Sequence, residues 1–371
     1  MSGPRVLHVS QAVDAGVGAV VAGLVADQRR RGWDVAVACP DGELADRAAA
    51  VGVPVHRWTA VRSPVRGPGE WPALRAILHR AAPDVVHLHS SKAGLVGRQV
   101  LRGSVPTIFQ PHAWSFEAVQ GAVGAAALRW ERWAARWTDR LICVSEAELA
   151  VAREHRIEAR AVVVPNGVDI QRLRPSARGA ARERLGLGAG PVALCVGRIT
   201  EQKGQDLLLT GWDAVRVMVP GATLAFLGDG PKLTEWSAAT AGRADVRWLG
   251  AGRPDDWYAA ADVVVVPSRW EGMALVPLEA MACARPVVGF DVAGLAESVG
   301  GTGAIVPPGD VAGLGEAVVD LLGDPQRAAA AGLAARERVV AHYDLRRALD
   351  RTAATVVELL QTRDSTERAR A

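Results

Sequence analysis

Lysine and asparagine are nearly absent from this 371-residue sequence. Only three of its 43 Lys and Arg residues are lysine, and Asn166 is its one asparagine. Both residues are encoded by A-rich codons, so their scarcity indicates a GC-rich genome. A lysine that persists against this bias indicates a position where arginine does not serve equally well. The three lysines are Lys92, Lys203 and Lys232.

The sequence is also poor in cysteine and in long hydrophobic runs. Its four cysteines lie far apart, with no Cys-x-x-Cys pair. This spacing argues against a disulfide framework or a zinc site and favours a reducing compartment. No apolar run approaches the ~18 residues of a transmembrane helix, and the start MSGPRVLHVSQ lacks the apolar core of a signal peptide. We therefore expect a cytoplasmic protein.

Acidic pairs of the form Asp-x-Asp are missing as well. Enzymes that hold a diphosphate through Mg²⁺ or Mn²⁺ need such oxygen ligands. We therefore expect neither a metal ion nor a cofactor.

Charge is unevenly distributed along the chain. Residues 1–180 carry 23 Lys/Arg and 16 Asp/Glu, a net charge of +7, so the remainder carries 20 and 24, a net charge of −4. A basic first half suits an anionic partner, such as a phosphorylated lipid or the inner face of the plasma membrane. Solvated arginine-rich helices are the alternative. We expect no nucleic-acid partner.

Short apolar runs alternate with longer amphipathic stretches along the chain. Near-continuous Val/Leu/Ile runs between helix-length segments predict buried parallel strands in βαβ units. Two such series predict an α/β protein with two Rossmann-like, doubly wound domains. The predicted strands are RVLHVS, DVAVAC, VPVHRW, DVVHLH, TIFQPH, RLICVS and RAVVVP, followed by PVALCVG, ATLAFLG, DVRWLG, DVVVVPS, RPVVGF and GAIVPP.

The domain boundaries follow from the polar segments between these series. We predict a first domain at 1–170, a linker at 171–190 and a second domain at 191–345. Two Ala/Arg-rich helices follow near the end of the chain. The last of them, at 346–371, is expected to cross back to the first domain and to end in a frayed tail.

The stretch GRITEQKG follows a predicted buried strand. Gly197 ends that strand, so Arg198 is expected at the carboxyl edge of the sheet, where doubly wound proteins bind ligands. Lys203 follows after a short turn that Gly204 can close. An arginine fork and a compact lysine charge together suit a diphosphate. A surface turn with two solvated cations is the alternative.

Seven residues separate Glu271 from Glu279 in EGMALVPLE, where a loop is expected to become a helix. Pro277 suits the first helical position, and the amides of such a helix start form a phosphate cradle. Glu279 in the first turn is placed to accept hydrogen bonds from a ribose diol. Glu271 is placed to contact a sugar hydroxyl.

GRITEQKG together with EGMALVPLE resembles the donor-site signature of retaining glycosyltransferases with the GT-B fold, in particular glycosyltransferase family 4. The stretches VPNGVDIQRLRP, LGDGP and WYAAADVVVVPS extend the resemblance along nearly the whole chain. It implies a GT-B fold in which two Rossmann-like domains face each other across a cleft and close on the donor. The first domain would take the acceptor and the second the nucleotide sugar.

The resemblance also implies roles for individual residues. Arg198 and Lys203 would bind the diphosphate and stabilise its growing charge, while Glu279 would hold the ribose. The family often has Phe-Gly where this chain has Met273-Ala274, a difference that bears on which sugar is bound. The implied catalytic residues are Arg198, Lys203, His112 and Glu271. The implied donor-binding residues are Gly16, Gly18, Gly228, Met273, Ala274, Leu275, Val276 and Glu279, and the acceptor side comprises His89, Ser91 and Lys92.

Two loops of the first half are predicted to carry ligand-binding groups. Gly16 and Gly18 are expected in a loop ahead of a helix, and Val21 breaks the dinucleotide fingerprint G-x-G-x-x-G. Lys92 is expected just before a helix that begins near residues 93–94.

The histidines of the first half invite two interpretations. By resemblance, His112 would lie near the reacting carbon of the donor sugar, with a core histidine beside Trp114 as the alternative. We expect that His87 and His89 do not share a metal ion, on the view that alternate strand residues point to opposite faces.

In LRWERWAARWTDR the spacing places Trp130, Trp133 and Trp137 on one helical face, beside arginines. This pattern suits an interfacial anchor for a lipid-linked acceptor, with core packing as the alternative.

The function implied by the resemblance is retaining transfer of a hexosyl group, expected to be UDP-linked, to a hydroxyl of a lipid-linked or polysaccharide precursor. HSSKAGLVGR resembles bacterial members that build surface polysaccharides. A small soluble or natural-product acceptor remains open. So do two other classes: a nucleotide-sugar epimerase or related oxidoreductase, and a non-catalytic sensor.

Overall fold

The computed structural model describes residues 3–61, 69–119 and 121–368. It divides into two compact units: Met1–Pro165 with Arg347–Ala371, and Asn166–Arg346. The chain therefore returns to its first unit at the carboxyl end. The residues predicted as a linker, 171–190, belong to the second unit and include a helix.

The first unit is built on a seven-stranded sheet in the order β3-β2-β1-β4-β5-β6-β7. All of its strand pairs are parallel. Each predicted apolar run of the first half forms one strand, as expected for strands buried on both faces. The strands are β1 (Arg5–Ser10), β2 (Asp34–Cys39), β3 (Val55–Arg57), β4 (Val85–His89), β5 (Thr107–Gln110), β6 (Arg140–Cys143) and β7 (Ala161–Val163).

Helices cover both faces of this sheet. Alternate residues of β1 enter different clusters, because Leu7 packs in the one and Val6 in the other. The face that carries Val6 is also packed by α15, through Val356 and its neighbours. The helices are α1 (Ala15–Arg30), α2 (Glu43–Ala50), α3 (Glu70–Ala81), α4 (Ser90–Leu101), α5 (Gly121–Ala134), α6 (Glu146–Glu154) and α15 (Leu345–Arg368), with a 3₁₀ turn at Ala135–Trp137.

The second unit contains a six-stranded parallel sheet in the order β10-β9-β8-β11-β12-β13. The order reverses beside β8, which is where open α/β sheets bind ligands. The strands are β8 (Val192–Val196), β9 (Thr223–Leu227), β10 (Val246–Trp248), β11 (Val263–Val266), β12 (Val287–Phe290) and β13 (Ala304–Val306). The helices are α7 (Arg178–Arg184), α8 (Gln205–Met218), α9 (Leu233–Ala239), α10 (Asp255–Ala260), α11 (Leu275–Ala282), α12 (Leu295–Val299), α13 (Val311–Gly323) and α14 (Pro325–His342).

The tail predicted to fray is helical as far as Arg368, and residues 369–371 lie outside the described residues. All four cysteines are buried, and burial raises the pKa of each thiol. Among the described residues, none of the helices has both the length and the apolar character that a bilayer crossing requires.

Candidate functional site

The turn after β8 holds Lys203 in a fixed place. The chain leaves the strand at Gly197, passes Arg198 and forms a 3₁₀ turn at Glu201–Lys203 that Gly204 closes with φ of 68°. A side chain at position 204 could not be accommodated, because its Cβ would lie 1.9 Å from the carbonyl oxygen of Pro267. The predicted role of Gly204 as the residue that closes the turn is confirmed.

This turn is joined to the loop that follows β11. The Arg269 amide donates to the Gln202 carbonyl at 2.8 Å, and the Gln202 side chain donates to the Trp270 carbonyl at 3.2 Å. The guanidinium of Arg269 also pairs with Asp206 at 2.7 Å. The two sequence motifs are thus neighbours at the carboxyl edge of one sheet.

Lys203 and Glu271 meet directly across this junction. The ammonium of Lys203 lies 2.5 Å from a carboxylate oxygen of Glu271, and their side chains are 19% and 8% exposed. Such a charge-assisted bond in a largely desolvated site orients both groups. Two residues with separately assigned roles therefore form one ion pair.

Helix α11 begins at Leu275, with Ala274 as its N-cap. Alanine has no side-chain acceptor for the first helical amides, which leaves them to solvent or a ligand. Pro277 occupies the third helical position rather than the first that we expected, and Glu279 the fifth. Glu279 therefore lies in the second turn, because the helix starts two residues earlier than predicted.

The loop ahead of α11 is fixed from two sides. The side-chain amide of Asn166 donates to the carbonyl oxygen of Met273 at 2.8 Å, and Asn166 is only 7% exposed. On the other side the backbone of Gly294 packs on Gly272, so closely that a Cβ at position 294 would lie 1.9 Å from the Gly272 carbonyl oxygen. Met273 itself is buried.

Glu279 has a hydrogen-bond partner that sequence reasoning missed. The hydroxyl of Tyr258 donates to its carboxylate at 2.8 Å. Burial raises the pKa of Glu279, and the Tyr258 bond works against that rise. Only two tyrosines occur in the chain. Its position in the stretch WYAAADVVVVPS, a few residues before β11, was the feature of the sequence that could have pointed to Tyr258.

Gly228, at the end of β9, adjoins the same turn. Its φ of 153° and its closeness to the Gly197 carbonyl oxygen, 2.0 Å from an added Cβ, both require glycine. Gly228 therefore lets two strand ends approach each other, beside Arg198.

In the first unit, Gly16 and Gly18 lie inside α1, not in a loop ahead of it as we expected. The helix begins at Ala15, whose φ is 54°. Gly18 packs against the backbone of Val13, where an added Cβ would lie 2.3 Å from the carbonyl oxygen. Its lack of a side chain thus serves close packing within the first turn.

The helix start near Lys92 also differs from the prediction. Helix α4 begins at Ser90, directly after His89, so Ser91 and Lys92 lie in its first turn. Lys92 forms an ion pair with Glu70 at 2.6 Å, and both side chains are almost completely buried. Glu70 was not predicted as the partner of Lys92, because the two residues are 22 positions apart in the sequence.

The histidines of the first unit contradict the view that His87 and His89 point to opposite faces of β4. His87 and His89 are two residues apart and therefore share a face of β4, because it is successive residues that point to opposite faces. Their ring centroids lie 4.0 Å apart. His8 on β1 joins them, through a 2.9 Å contact of its Nδ1 with Nε2 of His89.

His112 completes this cluster. It follows β5 with φ of 61°, and its Nε2 lies 3.2 Å from Nδ1 of His89. Burial lowers the pKa of His112 to about 3 and of His8 to about 4. Both rings are therefore neutral near pH 7. Of the predicted residues in this unit, His89 and His112 are in contact.

Three of these imidazoles are close enough to be considered as metal ligands. His8, His87 and His89 each offer a ring nitrogen within 4.8 Å of the others. A zinc ion with Zn–N bonds of ~2.0–2.1 Å would have to replace the His8–His89 contact. The observed contact between His8 and His89 is a hydrogen bond.

The predicted tryptophan face exists at the end of α5. Ring centroids of Trp133 and Trp137 lie 4.3 Å apart, and Trp130 is 5.3 Å from Trp133. Trp133 is 43% exposed and Val123 is 60% exposed on the same helix. The guanidinium of Arg136 lies 4.9 Å from the ring centre of Trp133.

Comparison with protein families matches both halves of the chain. Residues 15–172 match the family model described as Glycosyltransferase Family 4, and residues 190–324 match Glycosyl transferases group 1. The chain is 31% identical over 312 residues to the lipopolysaccharide core biosynthesis mannosyltransferase LpsB of Rhizobium meliloti, which covers 75% of this chain and 84% of that protein.

A second relative is more similar over a shorter stretch. The GDP-mannose-dependent alpha-(1-6)-phosphatidylinositol monomannoside mannosyltransferase of Mycolicibacterium smegmatis is 39% identical over 200 residues, 49% of this chain and 52% of that protein. The chain thus matches about half the length of this relative.

Among solved structures, the sucrose-phosphate synthase of Thermosynechococcus elongatus has a similar fold. It superimposes with a TM-score of 0.82 at 24% identity, covering 96% of this chain and 99% of that one. Together with the two parallel-sheet units, this similarity establishes the predicted GT-B fold.

Proposed function

The chain belongs to glycosyltransferase family 4, and from this premise we propose that it transfers a hexosyl group from a nucleoside diphosphate sugar to a hydroxyl acceptor, with retention at the anomeric carbon. The observation that carries the proposal is the junction of the two motifs in the second unit. There the Lys203 turn is bonded to the loop that carries Glu271, and three residues separate Glu271 from the start of α11 at Leu275.

The junction suits a diphosphate on chemical grounds. Lys203 supplies a fixed ammonium, Arg198 a second cation on the same turn, and the start of α11 a set of outward amides. These groups act most strongly on the charge that develops as the leaving group departs. They are therefore suited to catalysis and not only to binding.

The reaction requires one bond to break and one to form on the same face of the sugar. The bond between the anomeric carbon and the diphosphate oxygen breaks, and the acceptor oxygen takes its place. The acceptor proton passes to the departing diphosphate oxygen. Glu271 is held by Lys203 and is assigned to a sugar hydroxyl, so we propose front-face attack without a carboxylate nucleophile or a metal ion.

The donor nucleotide is the first point to test. The sequence led us to expect a UDP-sugar, but the relative from M. smegmatis is named for GDP-mannose and the one from R. meliloti is a mannosyltransferase. We propose GDP-mannose as the first donor to assay, with UDP-hexoses as the second candidates. Glu279 would bind the ribose of either.

We further propose that the acceptor is lipid-linked and that the exposed end of α5 contacts an anionic membrane surface. The exposed Trp133 with its neighbours Arg132 and Arg136 provides the groups that interfacial binding uses, and Val123 is exposed at the start of the same helix. Binding of the protein to phosphatidylglycerol-containing vesicles should fall in Trp133→Ala. It should be unchanged in Arg216→Ala, an exposed position of the second unit.

The experiment for the activity combines binding and turnover. A panel of nucleotide sugars is screened for a rise in thermal stability, because a ligand that binds the folded state stabilises it by mass action. With the donor identified, Arg198→Ala and Lys203→Ala should each lower kcat at least tenfold, ~1.4 kcal/mol or more. Full activity in both variants would overturn the proposal.

The rival classes predict other results in the same assay. An oxidoreductase or epimerase would change nicotinamide absorbance when supplied with a nucleotide sugar. A sensor would bind the donor and release no nucleoside diphosphate with any acceptor. The addition of EDTA should leave turnover unchanged if no metal takes part.

A further inference from the structure

A chain of hydrogen bonds runs from helix α1 through the sheet of the first unit to His112. The Gln28 side-chain oxygen lies 2.9 Å from Nε2 of His8, and Nδ1 of His8 lies 2.9 Å from Nε2 of His89. Nδ1 of His89 then lies 3.2 Å from Nε2 of His112. Gln28, His8 and His89 are 0–1% exposed, so water does not compete for the Gln28–His8 and His8–His89 bonds.

The donors and acceptors of a neutral imidazole require all hydrogen bonds of this series to run in the same direction. A neutral imidazole has one N–H donor and one acceptor nitrogen, so each ring must receive at one nitrogen and donate at the other. Burial lowers the pKa of all three rings below the ordinary value, which keeps each ring neutral near pH 7. The tautomers of the three histidines are therefore coupled, and the group at one end of the hydrogen-bonded series determines the tautomer at the other end.

Gln28 is the end that determines these tautomers. Its amide oxygen can only accept, so Nε2 of His8 carries the proton that points at it. Nδ1 of His8 must then accept from Nε2–H of His89. Nδ1 of His89 accepts in turn from Nε2–H of His112. All three histidines are thereby held in the same tautomer.

We propose that Gln28 is a positioning residue that acts through His8 and His89 to keep the proton of His112 on Nε2, leaving a lone pair on Nδ1 for a substrate hydroxyl. Among the described residues, Nδ1 of His112 has no hydrogen-bond partner, and the residue is partly exposed. Its left-handed backbone, with φ of 61°, places the ring against His89. The substrate part of this inference rests on the proposed glycosyl transfer.

The tautomers can be measured directly on the unliganded protein. With histidine labelled at both ring nitrogens, two-bond ¹H–¹⁵N correlations distinguish protonated from unprotonated nitrogen, and single histidine replacements assign the signals. The expected result is Nε2–H at His8, His89 and His112 near pH 7. A proton on Nδ1 of His112 in the wild-type protein would overturn the proposal.

Two substitutions at Gln28 test its control of the chain. In Gln28→Arg the guanidinium has only donors and keeps its charge, so Nε2 of His8 must accept from it and cannot carry the proton. Nδ1–H of His8 must then donate to His89. The direction is then reversed, His112 becomes Nδ1–H, and kcat/KM should fall at least tenfold. Gln28→Met removes the acceptor, so both directions become populated and the loss should be smaller.

A neighbouring core substitution separates this effect from lost stability. Val25 is buried on the same helix, one turn before Gln28, and makes no bond to the histidines. Val25→Ala should destabilise the protein and leave the tautomers and kcat/KM nearly unchanged. An unaltered His112 tautomer in Gln28→Arg would refute the role of Gln28. If the tautomers are as proposed and no sugar is transferred, it is only the proposed function that fails.

Discussion

The side-chain amide of Asn166 binds the main-chain carbonyl of Met273, 107 residues further along the chain. The one asparagine of the sequence thus fixes the loop that leads into α11. Aspartate could not replace it, since a carboxylate has no donor for a carbonyl oxygen. This bond gives a physical reason for an asparagine where the codon bias of the chain disfavours one.

Removal of this bond should loosen the donor loop. In Asn166→Ala the buried Met273 carbonyl loses its partner, a loss of about 1–3 kcal/mol in the free energy of unfolding. The dissociation constant for the nucleotide sugar should rise about tenfold, measured by calorimetry. Asn166→Asp should lower the stability and the donor affinity further, because it places a carboxylate against the carbonyl. Asp169→Ala, which weakens only the adjacent turn, serves as the control. Equal donor affinity in Asn166→Ala and the wild type would contradict the assigned role.

The Lys203–Glu271 pair predicts a split between binding and turnover. In Glu271→Gln the ammonium of Lys203 loses its carboxylate partner and is free for a phosphate. The affinity for nucleoside diphosphate alone should stay the same or increase, while kcat falls at least tenfold because the sugar contact is altered. Glu201→Gln removes an exposed carboxylate from the same turn and should change neither quantity. Weaker diphosphate binding in Glu271→Gln would show that the ion pair assists the phosphate site.

Nucleotide binding should depend on pH through Glu279. Burial raises the pKa of this carboxyl group, so its protonated form becomes populated at a higher pH than for an exposed glutamate. A protonated carboxyl accepts ribose hydroxyls poorly, so affinity should fall as the pH drops through the raised pKa. Tyr258→Phe removes the bond that lowers this pKa and should move the fall to higher pH. A pH profile that is identical in the two proteins would exclude this role for Tyr258.

The buried histidines should make the first unit sensitive to acid. The pKa of His8 is lowered to about 4 and that of His112 to about 3, so below the ordinary value of 6.5 the unfolded chain binds protons that the folded chain does not. Stability should therefore fall as the pH drops from about 6.5, by up to ~1.4 kcal/mol per pH unit for each group. Urea unfolding at a series of pH values measures this slope. It should be shallower in His8→Asn, and an unchanged slope would show that His8 does not contribute.

The contribution of Glu148 to stability should depend on pH in the opposite sense, falling as the pH rises. Burial raises its pKa to about 8 although it accepts a hydrogen bond from the Val144 amide at 2.7 Å. The folded protein therefore retains a proton that the unfolded chain loses above about 4.5, and stability falls as the pH rises from there to about 8. Glu148→Gln should stabilise the protein above pH 8 by an amount on the order of a few kcal/mol and have little effect below pH 4.5. No gain at alkaline pH would indicate that the carboxylate is solvated.

The sequence predicted the framework well because burial on both faces leaves a strong signal. All thirteen apolar runs are strands, from RVLHVS at β1 to GAIVPP at β13. The starts of α1, α4 and α11 were placed too late by two to about four residues. At those points the chain enters the helix directly from a strand or a tight turn, without a side-chain cap to mark the boundary.

Partners across the fold were beyond the reach of sequence patterns. Lys203 and Glu271 were each singled out, but their contact depends on how two loops at neighbouring strand ends are bonded. Glu70, Gln28 and Tyr258 were missed because their relevance comes from a neighbour far away in sequence. The error over His87 and His89 was of another kind, since the twofold period of a strand already predicts that they share a face.

The burial of all four thiols has a practical consequence for spectroscopy. Since a thiol reacts as its thiolate, the raised pKa values and lack of access should make Cys39, Cys143, Cys195 and Cys283 slow to alkylate. A cysteine introduced at an exposed site, for example in place of Arg216 or Val217, would then take a fluorophore or spin label selectively. The native chain can be labelled in this way without first removing its own cysteines.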